Sequence, residues 1–342
     1  MFNTLSFIVS AIDKKLSYSG RIGFDKQDAA SIYWGGSAVN LRFKGIGASA
    51  VFKDKPFKNH FLVIVDKDEK NAFKIQLDMI KHAYQLAKNL PYGEHSIELF
   101  KVSNVSGASF FYGFELDSTA TLLKPVKKPK RKIEFFGNSI TAGHGVNVPV
   151  DSSDNGKAGF FNNYRSYGAI TARHFNAQYH CTAVSGIVVM VSWFPDVMPE
   201  LYDCIDHYGS SSIWDFKRYQ PNIVVVNLFQ NDSWLVNQPN HEQFKTRYST
   251  TKPSEAFIIN AYAKFIRSLS IVYPKAKIIC CLGNMNATRE GSKWPGYIDA
   301  AVASLKDKRI TTHFFTYKNT PCHPKTKEQQ AMANDLIAFI KS

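Results

Sequence analysis

Four residues at the ends of short apolar runs can do chemistry together: Ser139, Gly186, Asn231 and His323. Ser139 lies in Ile133-Glu-Phe-Phe-Gly-Asn-Ser-Ile-Thr-Ala-Gly-His-Gly145, where a buried strand breaks into polar, glycine-rich residues. A serine hydroxyl there sits at the mouth of a sheet, where the backbone turns and its N–H groups are free. To attack an acyl carbon, that weakly acidic hydroxyl needs a base and an oxyanion site. Taken alone, such a serine can equally cap the next helix. The run Ile223–Leu228 is followed by Phe229-Gln-Asn-Asp232, which brings Asn231 to a strand end as an oxyanion donor or a plain turn residue. Cys181-Thr-Ala-Val-Ser-Gly-Ile187 puts Gly186 after another strand, where a bare backbone N–H can approach an oxyanion. Pro321-Cys-His-Pro-Lys-Thr326 sets His323 on a loop before the last helix. Any one of ten histidines is an ordinary structural residue, and His323 stands out because it follows the last strand of this sheet.

The elements that must position these residues fall in the second part of the chain. Ile133–Phe136, Ile223–Leu228 and Lys277–Leu282 are nearly continuous apolar runs, as buried parallel strands are. Helices are expected over Tyr164–Phe175, Glu255–Val272 and Lys325–Ile340. In the second of these, Phe257, Tyr262, Phe265, Ile266 and Leu269 recur at helical intervals. Strand–helix alternation implies a doubly wound α/β domain with its site at the carboxyl ends of the strands.

The first hundred residues have another rhythm. Ala38–Phe43 and Ser96–Val102 alternate apolar and polar positions, and Ser49–Phe52, Phe61–Val65, Ala72–Leu77 and Phe110–Leu116 add short strands between turn residues. That spacing suggests an antiparallel sandwich. The basic run Lys124-Pro-Val-Lys-Lys-Pro-Lys-Arg-Lys132 reads as an interdomain connector rather than a nucleic-acid patch. The expected division is thus a β-sandwich over 1–123, a linker over 124–132 and an α/β domain over 133–342.

Composition limits the alternatives. With 342 residues, 44% apolar and 20% charged, the chain is an ordinary globular one, long enough for two cores. Its formal charge of +14 favours anionic partners, although lysine-rich composition also arises without any. Five cysteines without C-x-x-C spacing argue against a zinc site or a disulfide scaffold. No run of eighteen apolar residues suggests a membrane span. The apolar stretch at the N-terminus has no basic residue before it, which makes a poor secretory signal.

Ser139, Gly186, Asn231 and His323, in this order, resemble the four blocks of the SGNH (GDSL-like) hydrolase superfamily from about Lys132 onward. With a sandwich ahead, Ser17-Tyr-Ser-Gly-Arg-Ile22 near its start and Glu200-Leu-Tyr-Asp203, the chain is similar to carbohydrate esterase family two. That resemblance implies a jelly-roll domain joined to a flavodoxin-like α/β/α hydrolase domain, and removal of O-acetyl groups from sugars without metal or organic cofactor. It implies Ser139 as nucleophile, His323 as base, and an oxyanion hole from Ser139, Gly186 and Asn231. It also implies export to the periplasm or beyond. An acetylated carbohydrate is the expected partner, an acidic polysaccharide among the candidates; no nucleic acid and no obligate protein partner is expected. Trp193, Trp234 and Trp294 are the candidate sugar platforms.

Three departures from the family pattern stand out. Asn138 replaces the aspartate of Gly-Asp-Ser, Phe229-Gln230 replaces Gly-Thr, and Thr320 stands where an aspartate three residues before the histidine is usual. The last departure predicts a Ser–His dyad, unless Asp299 or another distant carboxylate reaches His323. Two rival functions share these residues: acetyl transfer between glycans, and glycan binding on a decayed esterase fold.

Overall fold

The computed structural model describes residues 6–24, 28–56, 58–103, 107–149, 152–154, 156–207 and 212–342. The start of the apolar N-terminal stretch, residues 1–5, lies outside them. Contacts divide the chain into two units, Met1–Lys128 with Ile205–Ser212, and Pro129–Cys204 with Ile213–Ser342. The second unit is therefore not one uninterrupted piece of chain, as the division at 124–132 had it.

The first unit is an antiparallel sandwich. One sheet has the order β3 (Ile22–Gly23), β4 (Ala30–Ile32), β11 (Ser109–Asp117), β6 (Ala48–Lys53) and β9 (His82–Ala87), with β1 (Ser6–Ser10) also on β11. The other runs β12 (Thr121–Leu122), β5 (Ala38–Gly45), β10 (Gly93–Lys101), β7 (His60–Val65) and β8 (Phe73–Gln76), with β2 (Ser17–Ser19) on β5. Alternation works as the pleat requires: Val39, Leu41 and Phe43 are buried while Asn40, Arg42 and Lys44 are not. The two sheets meet in a phenylalanine cluster, with Phe52 of β6 4.9 Å from Phe61 of β7 and 5.1 Å from Phe111 of β11. The inserted Ile205 carbonyl accepts the Trp34 indole N–H at 2.8 Å, and the His207 ring lies 4.2 Å from that indole.

The second unit is a five-stranded parallel sheet in the order β14 (Gln178–Ala183), β13 (Lys132–Gly137), β15 (Ile223–Asn227), β16 (Lys277–Leu282) and β17 (Ile310–Phe314). Its helices are α1 (Ser139–Ala142), α2 (Tyr167–His174), α3 (Met198–Leu201), α4 (Gln230–Leu235), α5 (Glu242–Tyr248), α6 (Glu255–Val272), α7 (Trp294–Leu305) and α8 (Thr326–Lys341). Every residue of β15 is buried, because helices cover both faces. Neighbouring residues of β13 show it: Phe135 packs edge-on to Tyr167 of α2, and Phe136 edge-on to Phe265 of α6. Glu134, also fully buried, is held by hydroxyls of Thr182 and Tyr273. The expected helix over Tyr164–Phe175 begins later, since Ser166 caps α2 and Asn163–Arg165 forms a separate 3-10 turn. This strand order reverses direction at β13, so the crevice for a ligand opens at the carboxyl ends of β13, β14 and β15.

Candidate active site

Ser139 is the first residue of α1, one step past the end of β13. Capping is done by Asn138, whose Oδ1 accepts from Ile140 N–H at 3.0 Å. The Asn138 amide thus caps α1, and the Ser139 hydroxyl is not used as a cap. Among the described residues that hydroxyl makes no hydrogen bond, and Ser139 is 6% exposed. Gln329 of α8 ties this turn to the last helix, donating to the Ile140 carbonyl at 3.0 Å and accepting from Tyr167 N–H at 2.8 Å.

On one side of Ser139 lies the loop after β14. Gly186 has φ +85°, and a Cβ there would come within 3.2 Å of Phe194 and Trp193, so glycine is required. Asn231 Nδ2 donates to the Ile187 carbonyl at 3.2 Å, and its Oδ1 accepts from the Trp193 indole at 3.4 Å. The neighbouring Asp232 carboxylate accepts from Val189 N–H at 3.1 Å and Met190 N–H at 2.9 Å. Burial pushes its carboxyl up to about 7 against the pull of these donors. Asn231 and Asp232 together cinch the Gly186 loop against α4.

On the other side lies His323. Its Nδ1 is hydrogen-bonded to Asp154 Oδ2. This corrects the expected Ser–His dyad. The orienting carboxylate comes from the stretch that follows α1, while Thr320, in the usual place, turns its hydroxyl to Glu328 and Lys318. Asp299 is exposed on α7 and plays no part. Asp154 Oδ1 meets His144 Nε2 at 3.0 Å and Gly156 N–H at 3.2 Å, and His144 Nδ1 meets Ser185 Oγ at 3.0 Å. Burial acts to raise the Asp154 carboxyl, but hydrogen bonds from His144 and His323 outweigh it and hold it far below the usual carboxylate range. Ionised, it can only accept. Both imidazole nitrogens facing it therefore carry protons, which leaves His323 Nε2 with a lone pair, as a base requires.

His144 couples the two sides. Its backbone N–H donates to the Ser139 carbonyl at 3.0 Å, and its ring stacks on His323, with centroids 4.2 Å apart and planes 14° from parallel. His144, Asp154 and His323 also offer three ligand atoms within 4.8 Å of one another. The stacked rings, however, point these two nitrogens out side by side. With a proton on each of the two nitrogens that face Asp154, the stacked rings meet the two oxygens of that one carboxylate as donors.

The residues match known proteins. A profile described as "Carbohydrate esterase 2 N-terminal" covers residues 18–125. A solved family two carbohydrate esterase from Clostridium thermocellum, in complex with cellohexaose, is 30% identical over 95% of this chain and 98% of that one, with TM-score 0.83. The chain belongs to carbohydrate esterase family two. It is thereby one of the carboxylic-ester hydrolases. A cellulase/esterase, CelE, from Acetivibrio thermocellus is 32% identical over 95% of this chain, which spans only 39% of that longer protein. An acetylxylan esterase / glucomannan deacetylase from Cellvibrio japonicus is 25% identical over 97% of this chain and 90% of that protein.

Within this family two esterase the three tryptophans separate. Trp193, 42% exposed, stands beside Gly186 and Asn231. Trp234 and Trp294 line a different cavity of about 460 Å³ with Tyr297, Lys252, Arg289 and Lys293. The Phe229-Gln230 departure is structural: Phe229, at φ +82°, packs between Tyr262 and Trp294, and Gln230 Oε1 accepts from Ala287 N–H at 3.1 Å. Asp154, His144, Ser185 and Asp232 were missed as site residues. Only His144 carried a signal, a polar side chain wedged between glycines inside the serine block.

Proposed function

We propose that this protein removes O-acetyl groups from sugar hydroxyls of a polysaccharide or oligosaccharide. Ser139 Oγ attacks the acetyl carbonyl as its proton passes to His323 Nε2. The N–H groups of Ser139 and Gly186 and the Asn231 amide hold the oxyanion. Collapse breaks the ester C–O bond, and the sugar oxygen leaves with the proton from His323. Water, deprotonated by His323, then attacks the acetyl-serine and releases acetate. The observation carrying this reading is His323, oriented by the Asp154 carboxylate and stacked on the ring that follows the Ser139 turn.

Relatives named as acetylxylan esterase / glucomannan deacetylase, and a family member solved with cellohexaose, support β-linked plant polysaccharide as the substrate class. We assign Trp193 as the stacking platform for the acetylated sugar, and Trp234 and Trp294 to adjacent sugars of the chain. Such a substrate calls for secretion; no helix of the described residues is long and apolar enough to cross a membrane. The decayed-esterase reading drew on the missing carboxylate near position 320 and on the altered Phe229-Gln230; Asp154 on His323 weighs against the first ground, and the packing of Phe229 and Gln230 against the second. Hydrolysis of 4-nitrophenyl acetate and acetate release from acetylated glucomannan, by wild type and Ser139→Ala, test the proposal. Turnover lost in the variant supports it. Equal turnover in both sinks it.

A further inference from the structure

We propose that His144 is the positioning residue of the acid–base pair, holding Asp154 on His323 while Ser185 sets its tautomer. This rests on the reading of His323 as the base. Among the described residues, Asp154 lies between α1 and the 3-10 turn at Ala158–Phe160, outside any helix or strand whose ladder would fix it. Its carboxylate has three donors, and Gly156 is only two residues away, so it anchors Asp154 to its own loop. Among the described residues, the one donor from outside that loop, other than His323 itself, is His144 Nε2 at 3.0 Å.

His144 is fixed well enough to serve. Its backbone is hydrogen-bonded to Ser139, one face of its ring contacts Phe161 at 4.4 Å, and His323 stacks on it at 4.2 Å. A hydrogen bond at each nitrogen decides the tautomer: the Ser185 hydroxyl donates to Nδ1, so Nε2 carries the proton and donates to Asp154. Ser185 immediately precedes Gly186. One imidazole therefore links the loop that binds the oxyanion to the carboxylate that orients the base. Loss of that link affects proton transfer and not substrate binding. The charged or titratable neighbours acting on His323 are Asp154, His144 and Lys318.

Three variants test this beside Ser139→Ala. His144→Phe keeps the stacked ring and removes the donor, and it is expected to lower kcat on 4-nitrophenyl acetate with KM unchanged. The expected loss is about 10–100-fold, the cost of removing an orienting partner from metal-bound histidines. His144→Gln brings an amide N–H to the place of Nε2 and should restore most of kcat. Ser185→Ala should lower kcat less than His144→Phe and shift the acid limb of its pH profile. An unchanged kcat in His144→Phe, or an equal loss in His144→Gln, would overturn the proposal. If His144→Phe fails to fold by circular dichroism, Ser185→Ala decides, and an unaltered kcat and pH profile there overturns it. Turnover surviving in Ser139→Ala would instead defeat the underlying reading, so the two failures are distinguishable.

Discussion

His144 lies stacked on His323, and the two rings share one carboxylate by taking one oxygen each. The proposed base, His323, must be held by its far nitrogen so that the near one faces the nucleophile, and Asp154 is placed to hold it. Asp154→Asn is therefore expected to lower kcat by up to about 10⁴, the loss seen when a protease triad loses its carboxylate. KM should stay near the wild-type value. A kcat within a fewfold of wild type would restore the dyad.

The pH profile should place its acid limb below the usual imidazole range. Burial lowers the His323 pKa, with the Asp154 hydrogen bond acting in the opposite direction. The neutral form is the base, so kcat falls as pH drops through that lowered value. Removing Asp154 takes away a group that favours the charged imidazole, which shifts the limb further down. A limb at or above the ordinary value in the wild type, or an upward shift in Asp154→Asn, contradicts this sign.

Asn231→Ala should reduce kcat by about 10²–10³, the usual cost of one oxyanion donor. The same change frees the Ile187 carbonyl, so thermal unfolding should be followed alongside. Unchanged kcat would remove Asn231 from the mechanism.

Gly186→Ala forces a Cβ into left-handed backbone and against Phe194 and Trp193. A stability loss of about 1–2 kcal/mol is expected from the backbone alone, measured by urea unfolding. Activity should fall further than stability explains, because the Gly186 N–H moves with the loop. A variant as stable and active as the wild type would show that this N–H is not needed.

Trp193→Ala separates substrate binding from chemistry. With the indole gone, KM for acetylated glucomannan should rise, while 4-nitrophenyl acetate, with no sugar to stack, should be affected little. Equal effects on both substrates would make Trp193 a support for Asn231 rather than a sugar platform.

Much of the fold could be read from the chain because burial leaves a pattern in it. Strands β13, β15 and β16 are covered on both faces and appear as nearly continuous apolar runs, and β5 and β10 alternate because one face is solvated. Ser139, Gly186, Asn231 and His323 stand out because each follows a strand or precedes a helix. Asp154 follows neither, and it is 169 residues from His323. A carboxylate in an aperiodic loop has no local physical reason to be distinguished from its neighbours, so only the folded geometry selects it. The same holds for Asp232, which reads as the second half of an Asn-Asp turn until its backbone partners are seen.

The short return of the chain at Ile205–Ser212 has a practical consequence for anyone dissecting this protein. Because that segment counts with the sandwich, neither half can be excised with a single cut. A fragment starting at Pro129 would carry Ile205 and His207 without Trp34, the partner of both. Failure of such a truncation to fold would report on a severed loop and not on the strength of the catalytic half.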